Sequence, residues 1–562
     1  MMELVNPVTA PGGLMSLGGA LSGAIIHQIL FINGEWHTHA PSILCFYIAI
    51  FGCAALTWLF FEAYPVARLA SSLMVVGLFH LFGLIASILI YRRFFHRLNK
   101  SNFPGPWWAR YTKIWQIWEN RYSRNHLYLH SLHRRYGDVV RTGPAEVTVF
   151  IPEVHEAVGG RHSECIKSEF YDLIWPVRAL FAARDKAVHA KRRKVWQYGF
   201  SPSAIEHHER KVLKWIDELD AQLERKADTG AVVNATDFFL WFTFDIMGDF
   251  TFSKSFEMLE HQKWHHIVLK TQNARTLLGP LTPTPWLLHI GVKLLPRILW
   301  VKDWYESVEW CQDQMVERLS KGPQPGAPDL TSFFMESNKS GRTDPWLKGD
   351  SLLAILAGSE PTAQILTAIF HELSIHPEHI EKIHKELHGV CITDNSVLAA
   401  LPHLNAVIQE AMRLHPNLLT GGSRKTTERG VKIGDIYIPP HITVITPHYT
   451  IARREDCFEE GTKFIPERWS TRSEMVRNSA AHIPFSIGQY NCIGQHLAWR
   501  IMRYTIARVI RKYTFQLAPG CDGHKMEDDK VDKFTAFPGT VPLCFEMRVG
   551  REVGVRFAQE SK

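Results

Sequence analysis

A mainly α fold with small β-sheets (α+β), set behind two or three transmembrane helices, is what this sequence predicts. Three observations carry the prediction. Ser42 to Phe61 and Leu69 to Tyr91 contain no charged residue, and each is long enough to cross about 30 Å of hydrocarbon. From residue 107 onward the pattern is mostly helical, with short strands expected near Val139–Phe150, Lys432–Val444 and Thr514–Leu517. Asp350 to His371 is the longest helical candidate, with Asp350 after Gly349 as its N-cap.

Taken in order, residues 1–100 form a membrane region with spans at about 14–33, 42–61 and 69–91. The first is the weakest, since it carries His27, Gln28 and three glycines, Gly18, Gly19 and Gly23. No basic region precedes it, which argues against a secretory signal. Arg92, Arg93, Arg97 and Lys100 follow the last span and predict a cytoplasmic catalytic domain. Three spans then require a lumenal N-terminus, and two a cytoplasmic one. Residues 101–106 read as a Pro/Gly hinge ending in Pro104-Gly105-Pro106, because proline fixes φ and disfavours helix before it. Residues 107–562 read as one domain, without repeats or low-complexity linkers.

Composition narrows the function classes. With 46% hydrophobic and 12% aromatic residues over 562 positions, the chain is not a disordered protein. Its net charge of +7 comes without basic runs interleaved with aromatics, so no nucleic-acid partner is expected. Nine cysteines without CxxC pairs fit a reducing compartment. His371-Glu372…His376 has one residue too many for a zinc-binding HExxH face.

The most informative segment is Phe485-Ser486-Ile487-Gly488-Gln489-Tyr490-Asn491-Cys492-Ile493-Gly494. One cysteine lies in a Gly-bracketed loop before a helical run, where the helix dipole and backbone N–H groups are expected to lower its pKa. Gly488 and Gly494 allow φ > 0 and let the backbone approach a flat ligand closely. Phe485 can shield one face of the sulfur. Glu410 and Arg413 share one face of a helix starting near Pro402, and their apolar neighbours predict burial. A buried pair needs a further partner, and Arg468, in Phe464-Ile465-Pro466-Glu467-Arg468-Trp469, is the candidate.

In this order and spacing, these motifs resemble the cytochrome P450 superfamily of haem-thiolate monooxygenases. The resemblance runs over roughly residues 100 to 550. Within it, Tyr136–Pro144 and Asp237–Asp249 look like segments of fungal microsomal members. It implies a P450 fold, a haem b (iron-protoporphyrin IX) cofactor and Cys492 as metal ligand. By the same resemblance His189 and Arg193, one face of a helix, and Arg424 would grip the haem carboxylates. Tyr490 departs from the family, which usually has Arg or His two residues before the cysteine.

The distal helix of the family typically reads Ala/Gly-Gly-x-Asp/Glu-Thr, an acid and an alcohol that relay protons. Here Ala357-Gly358-Ser359-Glu360-Pro361-Thr362 retains the acid and puts proline at the alcohol position. Proline cannot donate to the Ala357 carbonyl, and a local kink is expected to turn Thr362 or Ser359 toward the site. Glu360 and Thr362 are the relay candidates. Leu353, Leu356, Ala357, Leu418, Leu419, Phe534 and Phe537 are expected to line the substrate pocket.

The resemblance implies a membrane-bound monooxygenase of the endoplasmic reticulum, acting in fungal secondary metabolism. Its electrons would come from an NADPH-dependent P450 reductase, with a cytochrome b-type donor as a second source. Lys191, Arg192, Lys194 and Arg472 are candidate docking cations. The substrate would be lipophilic, a terpenoid, polyketide or aromatic metabolite. The alternative prompted by Pro361 is a haem-thiolate isomerase or dehydratase, acting on a peroxide without a reductase.

Overall fold

The computed structural model describes residues 11–61, 65–322, 328–337 and 344–548. The last stretch expected in the catalytic domain, 549–562, lies outside the described residues.

Three helices open the chain, Pro11–Ile26, Ala40–Phe60 and Pro65–Ile90, all with largely exposed apolar side chains. With their flanking turns each is long and apolar enough to cross a membrane. The first and third pack backbone to backbone. A Cβ on Gly23 would meet His80 O at 2.0 Å, and one on Gly83 would meet Ala20 O at 2.0 Å. Only glycine allows so close an approach at these two positions, since any Cβ would strike the facing backbone. The Pro104 carbonyl accepts from Arg141 N at 2.7 Å, so the 101–106 segment is tied to the first strand pair.

The rest is mostly helical, with four small sheets among the described residues. The largest runs Val139–Gly143, Glu146–Val149, Thr443–Ile445, Ser423–Lys425 and Ile166–Lys167 across its width. The expected strand region 432–444 divides into Val431–Ile433, Ile436–Ile438 and Thr443–Ile445. At the centre, Leu347–Ile375 packs along Ala235–Phe252, and Phe370 stands between Phe239 and Phe515 at ring distances of 4.8 and 5.0 Å. Although long and apolar enough to span a bilayer, Leu347–Ile375 is buried in this core.

Two local expectations are corrected. The central helix begins at Leu347, so Asp350 lies inside its first turn and is no N-cap. Asp350 instead accepts from Arg192 Nε at 2.5 Å, Trp196 Nε1 at 3.0 Å and Leu180 N at 2.8 Å. The helix also continues through Pro361. Ser359 Oγ donates to Ile355 O at 2.8 Å and Thr362 Oγ1 to Gly358 O at 3.0 Å. Those back-bonds hold both hydroxyls against their own helix.

Candidate active site

A cavity of about 470 Å³ is walled by the Cys492 loop and by the central helix. Cys492 reaches it because its loop closes on itself, with Cys492 N donating to Phe485 O at 2.8 Å. Gly488 makes that loop possible. Its φ is +67°, and a Cβ there would lie 2.1 Å from Gly159 O. Gly494 has φ −83° and needs no glycine freedom; it leads into the helix Gln495–Lys512 and borders the cavity. Phe485 and Tyr490 also face the cavity. The expected fall in the Cys492 pKa is corrected as well. The sulfur opens onto the cavity, yet the protein around it desolvates the thiol and raises its pKa, and the N–H groups of Gly494 and Gln495 with the Arg193 charge only oppose that rise.

Beside the cysteine stands a set of basic side chains. His189, Arg193 and Arg424 all border the cavity, joined by Lys167, which motif reading missed. Lys167 and Arg424 are register partners on adjacent antiparallel strands, and both are buried. Burial and the neighbouring Arg424 and Arg193 push the Lys167 ammonium well below its usual range. The same burial and cations push His189 down to about 3. Arg193 donates to Asn491 O and Oδ1, both at 2.6 Å. Arg424 reaches the Tyr171 hydroxyl at 2.9 Å and lies 5.0 Å from the Tyr490 ring centre, but its Nε and the Tyr490 hydroxyl have no partner among the described residues. Among the described residues no carboxylate pairs with Lys167, His189, Arg193 or Arg424, so the cluster suits a ligand that brings its own carboxylates. With a thiol on the same cavity, these residues fit an iron porphyrin.

On the central helix Glu360, Pro361 and Thr362 all border the cavity. Glu360 does not stand alone. Arg275, from the helix His266–Arg275, forms an ion pair with it, and Thr535 Oγ1 donates to its Oε2 at 3.4 Å. Burial lowers the Arg275 guanidinium to about 9. No local pattern marks Arg275, which comes from a distant helix.

The pocket expectations divide. Leu353, Leu356, Ala357, Leu418 and Phe534 line the cavity. Leu419 is fully buried and is not part of the wall, and Phe537 stacks under the Arg275 guanidinium at 4.8 Å, also off the wall. Among the expected docking cations, Lys191, Lys194 and Arg472 are exposed. Arg192 is buried, bonded to Asp350 and to Asp344 at 2.8 Å, and cannot belong to an exposed patch.

Glu410, Arg413 and Arg468 meet with no exposed side-chain surface. Glu410 accepts from Arg413 Nε at 2.8 Å and Nη2 at 2.7 Å, and from Arg468 Nε at 2.9 Å. Trp469 Nε1 at 2.8 Å and Ile465 N at 2.9 Å complete it. Arg413 and Arg468 spend their remaining donors on carbonyls of Ala452, Gly461, Lys463, Glu459 and Glu460. The cluster therefore pins the loop leading toward Cys492 onto the helix Pro402–Leu414.

Comparison with known proteins agrees with this geometry. The family model for cytochrome P450 matches residues 103–545. Tryprostatin B 6-hydroxylase of Neosartorya fischeri is 32% identical over 551 residues, covering 95% of this chain and 98% of that relative. Cytochrome P450 monooxygenase phqL of Penicillium fellutanum is 34% identical, covering 94% of each chain. Cytochrome P450 monooxygenase notG' of Aspergillus versicolor is 32% identical, covering 97% of this chain and all of that relative.

Proposed function

The chain belongs to the cytochrome P450 family and is a haem-thiolate monooxygenase, and from that premise we propose that it hydroxylates a lipophilic natural product at a membrane. The observation that carries this reading is the shared cavity, with Cys492, a cation cluster and the Glu360–Thr362 segment on otherwise apolar walls. When bound, haem b supplies the activation of dioxygen; the protein supplies position and protons. Cys492 Sγ would hold the iron, while the Gly494 and Gln495 N–H groups and Arg193 favour its thiolate form. Lys167, His189, Arg193, Arg424 and the Tyr490 hydroxyl would receive the haem carboxylates. Glu360, ion-paired through Oε2, has no partner for Oε1 among the described residues, and that oxygen takes up each proton and hands it on. Thr362 Oγ1 leaves Gly358 O and passes that proton into the cavity. Leu353, Leu356, Leu418 and Phe534 exclude water and grip the apolar substrate.

A relative named for 6-hydroxylation of tryprostatin B supports hydroxylation as the reaction type. The apolar N-terminal helices support membrane anchoring, in the endoplasmic reticulum with the catalytic domain on the cytoplasmic face. Electrons come from an NADPH-dependent reductase docked near Lys191, Lys194 and Arg472, with a cytochrome b-type protein as second donor. The test is turnover with purified reductase under labelled dioxygen. One labelled atom per product, dependent on NADPH, is expected; product formed from an organic peroxide alone, with no label from dioxygen, would overturn it.

A further inference from the structure

The turn joining the first two apolar helices is gripped by the catalytic domain. Glu35 accepts from both terminal nitrogens of Arg184, at 2.6 and 2.9 Å, and from Lys425 Nζ at 2.6 Å. His37 Nε2 pairs with Asp172 Oδ2 at 2.8 Å, and Arg184 Nη1 reaches that oxygen at 2.5 Å. Lys425 also pairs with Glu169. Burial pushes the Glu35 carboxyl up, but Arg184 and Lys425 outweigh it and hold it at about 2. Glu35, His37 and Asp172 lie close enough to share a metal ion; Arg184 and Lys425 already supply the positive charge. The contact continues where His37 meets His289 at 5.6 Å and the helix Ala40–Phe60 packs on Pro285–Leu294.

What this cluster holds is the cavity wall. Asp172 and Arg184 bracket the segment that gives Leu173, Ile174, Ala179, Leu180 and Phe181 to the cavity. Arg184 Nε donates to Lys167 O at 3.0 Å, backing the strand that carries one buried cation. Lys425 follows Arg424 on the neighbouring strand, where alternation sends one side chain to Glu35 and the other into the cavity.

We propose that Glu35 and His37 are positioning residues for the pocket: the turn between the first two membrane helices clamps the 172–184 wall and the strands bearing Lys167 and Arg424. The clamp requires that turn to lie on the catalytic side of the membrane, so the chain crosses three times and its N-terminus faces the opposite compartment. Cavity shape is thereby tied to the membrane region, and cutting that region away loosens the pocket.

The inference rests on the membrane placement proposed above, and two independent measurements separate the failures. Full-length protein in microsomes receives a long N-glycosylation acceptor tag at either end. A glycosylated N-terminal tag with an unmodified C-terminal tag is expected; an unmodified N-terminal tag overturns the three-span topology. Trypsin cleavage at Arg178, an exposed residue inside the clamped segment, reads the clamp itself without regard to haem. Glu35→Arg should speed that cleavage and weaken optically titrated phenylimidazole binding to the holoprotein about tenfold, as loss of a charge-assisted cluster would. Cleavage at Arg178 as slow in Glu35→Arg as in the parent overturns the clamp while leaving the monooxygenase reading intact. If Glu35→Arg does not accumulate, Glu35→Gln, which keeps the shape and removes the charge, is read the same way.

Discussion

Arg275 and Glu360 pair on the cavity wall with almost no exposed surface, from helices that only tertiary packing brings together. Breaking a buried pair from one side strands a charge at a cost of about 3–5 kcal/mol. Arg275→Met should therefore lower the unfolding midpoint of the holoprotein sharply. Arg275→Met with Glu360→Gln should recover most of that loss. Additive losses in urea unfolding would contradict the pairing.

Arg413→Ala removes the guanidinium that shares Glu410 with Arg468. Glu410 then loses two hydrogen bonds and the carbonyls of Ala452, Gly461 and Lys463 lose their donor, each buried group left unpaired costing about 1–3 kcal/mol. The variant should fail to accumulate with haem. Haem content and yield equal to the parent would refute the cluster as the anchor of the cysteine loop.

At the central helix, Thr362→Ala removes the one hydroxyl on the Glu360–Thr362 part of the cavity wall. NADPH consumption should continue while peroxide replaces hydroxylated product. Pro361→Thr should fold well, since it restores an N–H opposite the Ala357 carbonyl, and should alter the ratio of product to NADPH. Unchanged coupling in Thr362→Ala would move proton delivery elsewhere.

Acid should destabilise the fold early. Burial, with Lys530 and Arg413 as the neighbouring cations, holds His126 and His482 at about 3, and burial holds His208 at about 4. An unfolded histidine titrates near 6.5. The folded values are depressed, so this stability is fully present above about pH 6.5 and is lost as pH falls toward the folded values. Urea midpoints should decline from about pH 6.5 downward, with a shallower decline in His482→Gln. A flat profile across that range would refute burial of these rings in neutral form.

Local signals made much of this legible. The cysteine loop, the Glu410–Arg413 spacing and the central helix are each written in a few adjacent residues, and the chain places them together. Arg275 and Lys167 were invisible because nothing near them in sequence names their partners, Glu360 and the strand register opposite Arg424. Helix sidedness explains Arg192: on Lys186–Tyr198 it falls with His189 and Trp196 on the buried face, so a run of basic residues read as a surface patch is split. Leu418 and Leu419 show the same limit, since adjacent residues of one turn face opposite ways. The Cys492 pKa went astray because the helix terminus was weighed without the burial that outweighs it.

Every role assigned at the cavity depends on Cys492 as the iron ligand. The most direct measurement is the optical spectrum of the reduced protein under carbon monoxide, taken on the parent and on Cys492→Ala at matched haem content. The parent should show the red-shifted Soret band of thiolate ligation, and Cys492→Ala should lack it. A Cys492→Ala protein that keeps the band, or a haem-loaded parent that never shows it, would contradict the assignment.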